Sequence, residues 1–193
     1  MIATMEKKHI ITLGGLPGAG KSTVRKLLAE ALGYQTFYTG GFARQLAEER
    51  GVSLEDLNEQ IVNDKSLDEI IDAEQSRINA EEDNYVVDAH IGFHFIPNSF
   101  KVFLTVPIEV SAERIFKDAT SEIRQRSGDS MQSYEEAFVR TQKRIDNHTL
   151  RYKKHYGIDV YDPSQFDLVI DTSHLTPAQV VAQILTAYRT WVE

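Results

Sequence analysis

Residues Gly15 to Thr23 read Gly-Leu-Pro-Gly-Ala-Gly-Lys-Ser-Thr. The spacing G-x-x-x-x-G-K-[ST] is met by Gly15, Gly20, Lys21 and Ser22. This pattern has a physical logic. Glycines let the backbone curl so that successive N–H groups point inward at phosphate oxygens. A helix that begins at Lys21 adds the positive end of its dipole. Lys21 brings a point charge to the outer phosphates of a bound nucleotide, and Ser22 offers a hydroxyl to Mg²⁺. Pro17, Gly18, Ala19 and Thr23 complete the loop expected to wrap the phosphate chain. The motif sits between an apolar run and a helical pattern, the context that separates a phosphate loop from a chance glycine-rich turn.

A second group of chemistry-bearing residues lies far along the chain. Arg140, Arg144 and Arg151 are spaced by four and seven, which places them along one face of a helix, and His148 falls on the same stripe. On a generic helix such a row reads as a solvated face. Downstream of a phosphate loop it reads differently, because phosphoryl transfer needs cations over the moving group. Arg140 is read as solvated. His90 and His94 are four apart, but Pro97 and the flanking Gly92, Phe93 and Phe95 argue against a helix there, and no third ligand is evident, so no zinc site is expected.

The elements that must hold these groups follow from periodicity. His9–Leu13 reads as a strand, and residues 21–32 as a helix with Val24, Leu27, Leu28 and Ala31 on one face and Gly33 as its stop. A strand at 35–39 is turned by Gly40 and Gly41 into a helix over about 42–50. Ser53 with Asp56, and Ser66 with Glu69, mark helix starts, the second running to about residue 82. Further strands are expected at 84–88, 101–106 and 166–171, with helices at 107–118 and 176–191. Residues 119–132 read as a mobile loop. Ser133 with Glu136 opens a long helix to about Tyr156, with Tyr134, Ala137, Phe138, Thr141, Ile145 and Tyr152 as its buried stripe. Strands alternating with helices imply one α/β domain with a parallel sheet wrapped on both faces.

Composition narrows the function classes. The 193 residues fit a single domain, and 41% hydrophobic residues supply an ordinary core. A net charge of −8 argues against general nucleic-acid binding, which needs a basic surface. There is no cysteine, hence no disulfide framework or thiolate chemistry. No run approaches the roughly 20 apolar residues of a membrane span, and Met1–Lys8 carries no apolar leader core, so a cytoplasmic protein without membrane partners is expected. A signalling GTPase would need a guanine-reading Asn-Lys-x-Asp, and the chain offers only Asn63-Asp64-Lys65 within a helical stretch. A motor or transporter ATPase would be longer. What remains is a small kinase, with the loop on the donor and a second pocket for the acceptor.

At this point the chain resembles the short, archaeal-type cytidylate kinases among the P-loop nucleoside monophosphate kinases. The likeness rests on Gly15–Thr23, on Thr39-Gly40-Gly41-Phe42-Ala43-Arg44, on Val86-Val87-Asp88 and on Ala112-Glu113-Arg114. It continues through Arg144, Arg151-Tyr152, Tyr156-Gly157-Ile158-Asp159 and residues 167–173. The resemblance implies a three-layer α/β/α fold with a five-stranded parallel sheet and a helical lid. It implies an acceptor-binding helical region at about 40–82 and a lid at about 117–151. ATP would be the donor, a nucleoside monophosphate the acceptor, Mg²⁺ the cofactor and a monomer the working unit. Arg44, with Thr39, would meet the acceptor. Asp88 would act near the reacting phosphates through Mg²⁺-bound water. Arg114, Thr172 and Ser173 would border the donor adenine. Arg144 and Arg151 would clamp the transferred group.

Two positions depart from the family pattern. An Arg that usually follows the third strand, in a Gly-Arg pair, is here the pair Ala89-His90, and an acidic residue between the two lid arginines is His148. Arg is always charged and forked, whereas His titrates near pH 6.5. Either Arg124 or Arg126 takes over the missing charge, or the acceptor differs. Two rival functions stay open: a P-loop kinase with another small-molecule acceptor, and a nucleotide-binding regulatory module without transfer activity.

Overall fold

The computed structural model describes residues 7–53, 56–57, 66–119 and 131–193. Five strands form one all-parallel sheet: β1 (Ile10–Gly15), β2 (Gln35–Tyr38), β3 (Tyr85–Asp88), β4 (Phe100–Thr105) and β5 (Leu168–Asp171), in the order β2-β3-β1-β4-β5. The helices are α1 (Lys21–Leu32), α2 (Thr39–Arg50), α3 (Ser66–Glu81), α4 (Gly92–Phe95), α5 (Ile108–Ala119), α6 (Tyr134–Tyr156) and α7 (Pro177–Val192).

Central strand β1 is buried along its whole length, which is why it reads as a continuous apolar run rather than an alternating one. Its side chains still divide by parity. Ile11 and Leu13 join Val86, Val102 and Leu104 against Val24 and Leu28 of α1 and Val180, Ile184 and Tyr188 of α7. Ile10, with Tyr85 and Val87, packs on the opposite face against Ile78 of α3 and Ile96. A helix layer on each face of the sheet gives the expected three-layer architecture. The chain moves from β3 on one side of β1 to β4 on the other. A crevice therefore opens at the carboxyl ends of β1 and its neighbours, the place where open parallel sheets bind ligands.

Several local expectations need correction. Gly40 and Gly41 do not form a turn but lie in the first turn of α2. Their missing side chains make room for the Tyr38 ring: a Cβ at Gly40 would come within 2.8 Å of its hydroxyl, and one at Gly41 within 2.7 Å of Cδ1. Tyr134 is not part of the buried stripe. It is 37% exposed at the outer start of α6, its ring 6.3 Å from that of Phe138. A short helix, α4, does form and includes His94. The last strand begins at Leu168 because Pro163–Gln165 make a 3₁₀ turn and Phe166 packs between Phe93 and Phe103 instead of entering the ladder. Ser133 caps α6 by accepting from the Glu136 N–H, but the Glu136 carboxylate takes the Gln132 N–H rather than that of Ser133, so the box is only half closed. The loop expected at 119–132, with Arg124 and Arg126, lies between 120 and 130 outside the described residues.

Candidate active site

The phosphate loop is anchored from two sides. Leu16 N–H donates to Leu104 O at 3.1 Å, continuing the β1–β4 pairing past the strand end. The Ser111 hydroxyl of α5 donates to Pro17 O at 2.7 Å. Gly18 has φ +69°, and any Cβ there would strike Ser111, so glycine is required on both backbone and packing grounds. Gly20, with φ +89°, turns the chain into α1.

Lys21 folds back over this loop, with Nζ donating to the carbonyls of Gly15 and Leu16, each at 2.8 Å. Burial pulls its pKa down to about 8. The Asp88 carboxylate opposes that shift and the charge of Arg144 adds to it. Asp88, at the end of β3, is 3% exposed. Burial raises its pKa, against the pull of Lys21 and of the Ser22 hydroxyl, which donates to its Oδ2 at 3.1 Å. Thr39 donates to the Asp88 carbonyl at 3.2 Å, tying the start of α2 to the end of β3.

These groups open onto one cavity of about 870 Å³. Residues 17–23 line it, as do Arg114 and Thr172. Arg114 donates to Thr172 Oγ1 at 3.0 Å, Thr172 O at 2.6 Å and Ser173 O at 3.2 Å, so it holds the loop after β5 in place. Thr39, Arg44, His90, Arg144, His148 and Arg151 line the same cavity. Arg44 donates to the Tyr38 hydroxyl at 2.9 Å, and the Arg25 guanidinium lies 5.0 Å from the Tyr38 ring centroid.

Two expected donor residues do not reach the cavity wall. Gly15 is buried at the end of β1, where Leu104 O leaves no room for a side chain, and it acts through the carbonyl that receives Lys21. Ser173 turns its hydroxyl to Asp171 and contributes only the carbonyl that meets Arg114. The arginine row also divides. Arg140 pairs with Glu136 at 2.7 Å, Arg144 is exposed on the cavity wall, and Arg151 is 6% exposed and bound bidentately to Asp68 of α3. Burial works against the Arg151 charge, but Tyr152 and Asp68 more than offset it. Sequence reasoning missed Asp68. At the third position of a helix it looks like an ordinary acidic first-turn residue, and nothing local points to a partner 83 residues away.

The two departing histidines meet. The His90 and His148 rings lie 4.2 Å apart at 61°, and His148 Nδ1 is 3.1 Å from the Tyr161 hydroxyl. His90 Nδ1 is buried without a hydrogen-bond partner among the described residues. Burial pushes both pKa values well below 6.5. The nearness of the two rings adds to this for His90, and Lys21, Arg144 and Arg151 add to it for both. Both rings are therefore neutral at pH 7. In the unfolded chain they titrate near 6.5. Below that pH the unfolded state binds protons that the folded state refuses, so stability is full above about pH 7 and declines as the pH falls, by up to about 1.4 kcal/mol per pH unit for each ring. Thermal midpoints at pH 7.5 and 5.5 are expected to differ more for the wild type than for a His90→Gln, His148→Gln double variant. Equal differences would contradict neutral burial.

Among the described residues no cluster of three or more His, Asp or Glu could hold a metal, and no helix is long and apolar enough to cross a membrane. A family model described as an AAA domain matches residues 11–149. A cytidylate kinase from Sulfurisphaera tokodaii is 35% identical over 181 residues, 93% of this chain and 94% of the relative. One from Sulfolobus acidocaldarius is 35% identical over 179 residues, 91% of each chain. Among solved structures, a shikimate kinase from Bacteroides thetaiotaomicron superimposes with a TM-score of 0.60 at 16% identity, covering 94% of this chain and 97% of that one.

Proposed function

The chain belongs to the cytidylate kinase family, and we propose that it transfers the γ-phosphoryl group of ATP to the phosphate of CMP or dCMP. The observation that carries this reading is one cavity lined at once by the phosphate loop with Lys21, by Asp88 and Arg144, and by Arg44 and the His90–His148 pair. In the reaction an oxygen of the acceptor phosphate attacks the γ-phosphorus of ATP. The bond from that phosphorus to the β,γ-bridging oxygen breaks, and ADP leaves with the electron pair.

The residues would divide the work by position. Backbone N–H groups of residues 17–23 and the start of α1 hold the donor phosphates. Lys21 leaves the Gly15 and Leu16 carbonyls for the outer phosphates, whose negative charge raises its pKa from about 8 and keeps it protonated. Arg114, fixed to the Thr172 and Ser173 carbonyls, borders the donor base. Arg44 exchanges the Tyr38 hydroxyl for the acceptor phosphate. Arg144 supplies charge to the moving group, and Arg151, aimed by Asp68, forms a fixed positive wall beside it. Ser22 and Asp88, hydroxyl beside carboxylate, offer the hard oxygen donors that suit Mg²⁺ directly or through water. Bound with ATP, that ion would neutralise charge on the outer phosphates. Closure of the lid region, about 117–151, would exclude water, which competes as acceptor.

One observation favours a second reading. The acceptor wall carries neutral imidazoles where the family usually places an arginine and an acid, which suits a different acceptor. A coupled assay for ADP release, run with ATP alone and with a panel of nucleoside monophosphates, separates the two. High turnover with CMP and dCMP and low turnover with the rest supports the first reading. High turnover with another monophosphate supports the second. ADP release independent of any acceptor would defeat both.

A further inference from the structure

The acceptor side of the cavity holds a buried group with no task in the transfer step. Gln75 of α3 is 1% exposed and lines the cavity, yet neither its Nε2 nor its Oε1 has a hydrogen-bond partner among the described residues. Buried side-chain amides are normally satisfied, because leaving one unpaired forfeits its hydration with no return. A residue that keeps its amide in that state within a cavity wall is matched to something that enters the cavity.

Its neighbours narrow what that is. Asp68, Ile71, Asp72 and Gln75 all line the cavity, at the spacing of one helix face. Asp68 is bound to Arg151, and Asp72 accepts from the Tyr156 hydroxyl at 2.6 Å, so both acids on this face already have partners. Gln75 stands two turns from Asp68, roughly 10 Å along the axis. That is the kind of span a nucleoside monophosphate covers between its phosphate and its base. With Arg151 near the phosphate end, the carboxamide is left beside the base.

The chemistry fits a pyrimidine. A carboxamide presents a donor and an acceptor side by side. Cytosine offers N4–H as donor next to N3 as acceptor, and uracil offers N3–H next to O4. Turning the amide over matches either edge with two hydrogen bonds. The same bidentate geometry lets Gln read a base edge in nucleic-acid complexes. We infer that Gln75 reads the pyrimidine edge of the acceptor nucleotide, an inference that rests on the kinase reading above. The buried histidines remain as neutral walls, and the base is selected by a dipole rather than by a charge.

The test is a cycle between enzyme and substrate, using the full chain at saturating ATP. Wild type and Gln75→Leu are assayed with CMP and with the monophosphate of the 2-pyrimidinone riboside, which lacks the exocyclic amine. Wild type is expected to prefer CMP by about tenfold in kcat/KM, the worth of one well-made hydrogen bond. Gln75→Leu is expected to lose that preference, to raise the KM for CMP about tenfold or more, and to leave the KM for ATP unchanged. Its thermal midpoint is expected to equal or exceed that of the wild type, because an unpaired buried amide has been removed. A preference for CMP that persists in Gln75→Leu overturns the inference. So does a variant that melts earlier and weakens ATP and CMP alike, which marks a packing role. If wild type phosphorylates neither acceptor, the kinase reading falls and this inference with it.

Discussion

Replacing Lys21 with alanine lowers kcat/KM for phosphoryl transfer by about 10²–10³-fold, the usual loss when one preorganised cation is withdrawn from a transition state. The fold should survive this change. The loop is held by Leu16 N–H on Leu104 O and by Ser111 on Pro17 O, neither of which involves Lys21. Burial pulls its pKa down to about 8, so the ammonium is held at a desolvation cost. Removing the ammonium relieves that desolvation but also takes a cation from buried Asp88, so the thermal midpoint of the ligand-free protein is expected to change little. Lys21→Arg restores little, because a planar fork cannot take the place of a compact ammonium within reach of two loop carbonyls. Steady-state kinetics beside a melting curve check both halves. Near-normal turnover in purified Lys21→Ala would remove the donor loop from the mechanism.

The second large effect separates two arginines that the sequence presents as equivalents. Arg144→Ala lowers kcat by about 10³-fold, the low end of what a phosphoryl-transfer arginine contributes, with little change in thermal midpoint because the residue is exposed. Arg151→Ala behaves differently. It leaves Asp68, 2% exposed, as an uncompensated buried charge, and breaking such a pair costs about 3–5 kcal/mol. Its activity loss is thus accompanied by a clear drop in stability, and Asp68→Ala shares that drop. Matched kinetics and melting curves on Arg144→Ala, Arg151→Ala and Asp68→Ala read this out. Equal stability losses for Arg144→Ala and Arg151→Ala would contradict the division of roles.

How much of this was legible in the chain depended on distance. The donor loop was readable because its glycines, lysine and serine are adjacent, and because strand and helix periodicity flank them. The long helix α6 was readable to within a residue, from the Ser133 cap to Tyr156. The turn expected at Gly40-Gly41 misread the purpose of the glycines, which make space for a ring rather than a bend. The Asp68–Arg151 pair and the unpaired Gln75 amide were beyond reach. The first depends on α3 meeting α6 and the second on α3 lining the cavity, and a single acid or amide inside a polar helix carries no local mark of either. His90 and His148 stood out singly as departures from the family pattern. That their rings meet edge to face, 4.2 Å apart, is visible only in the folded chain.

The central claim is that this cavity moves a phosphoryl group from ATP to a pyrimidine nucleoside monophosphate without a detour through water or through the protein. Incubation of the purified chain with ATP labelled at the γ-phosphate, Mg²⁺ and CMP, followed by separation of products, tests it most directly. The account predicts label in the β-phosphate of CDP, one CDP for each ADP, and no labelled protein. Label released as inorganic phosphate, or ATP left intact in the presence of CMP, would contradict it.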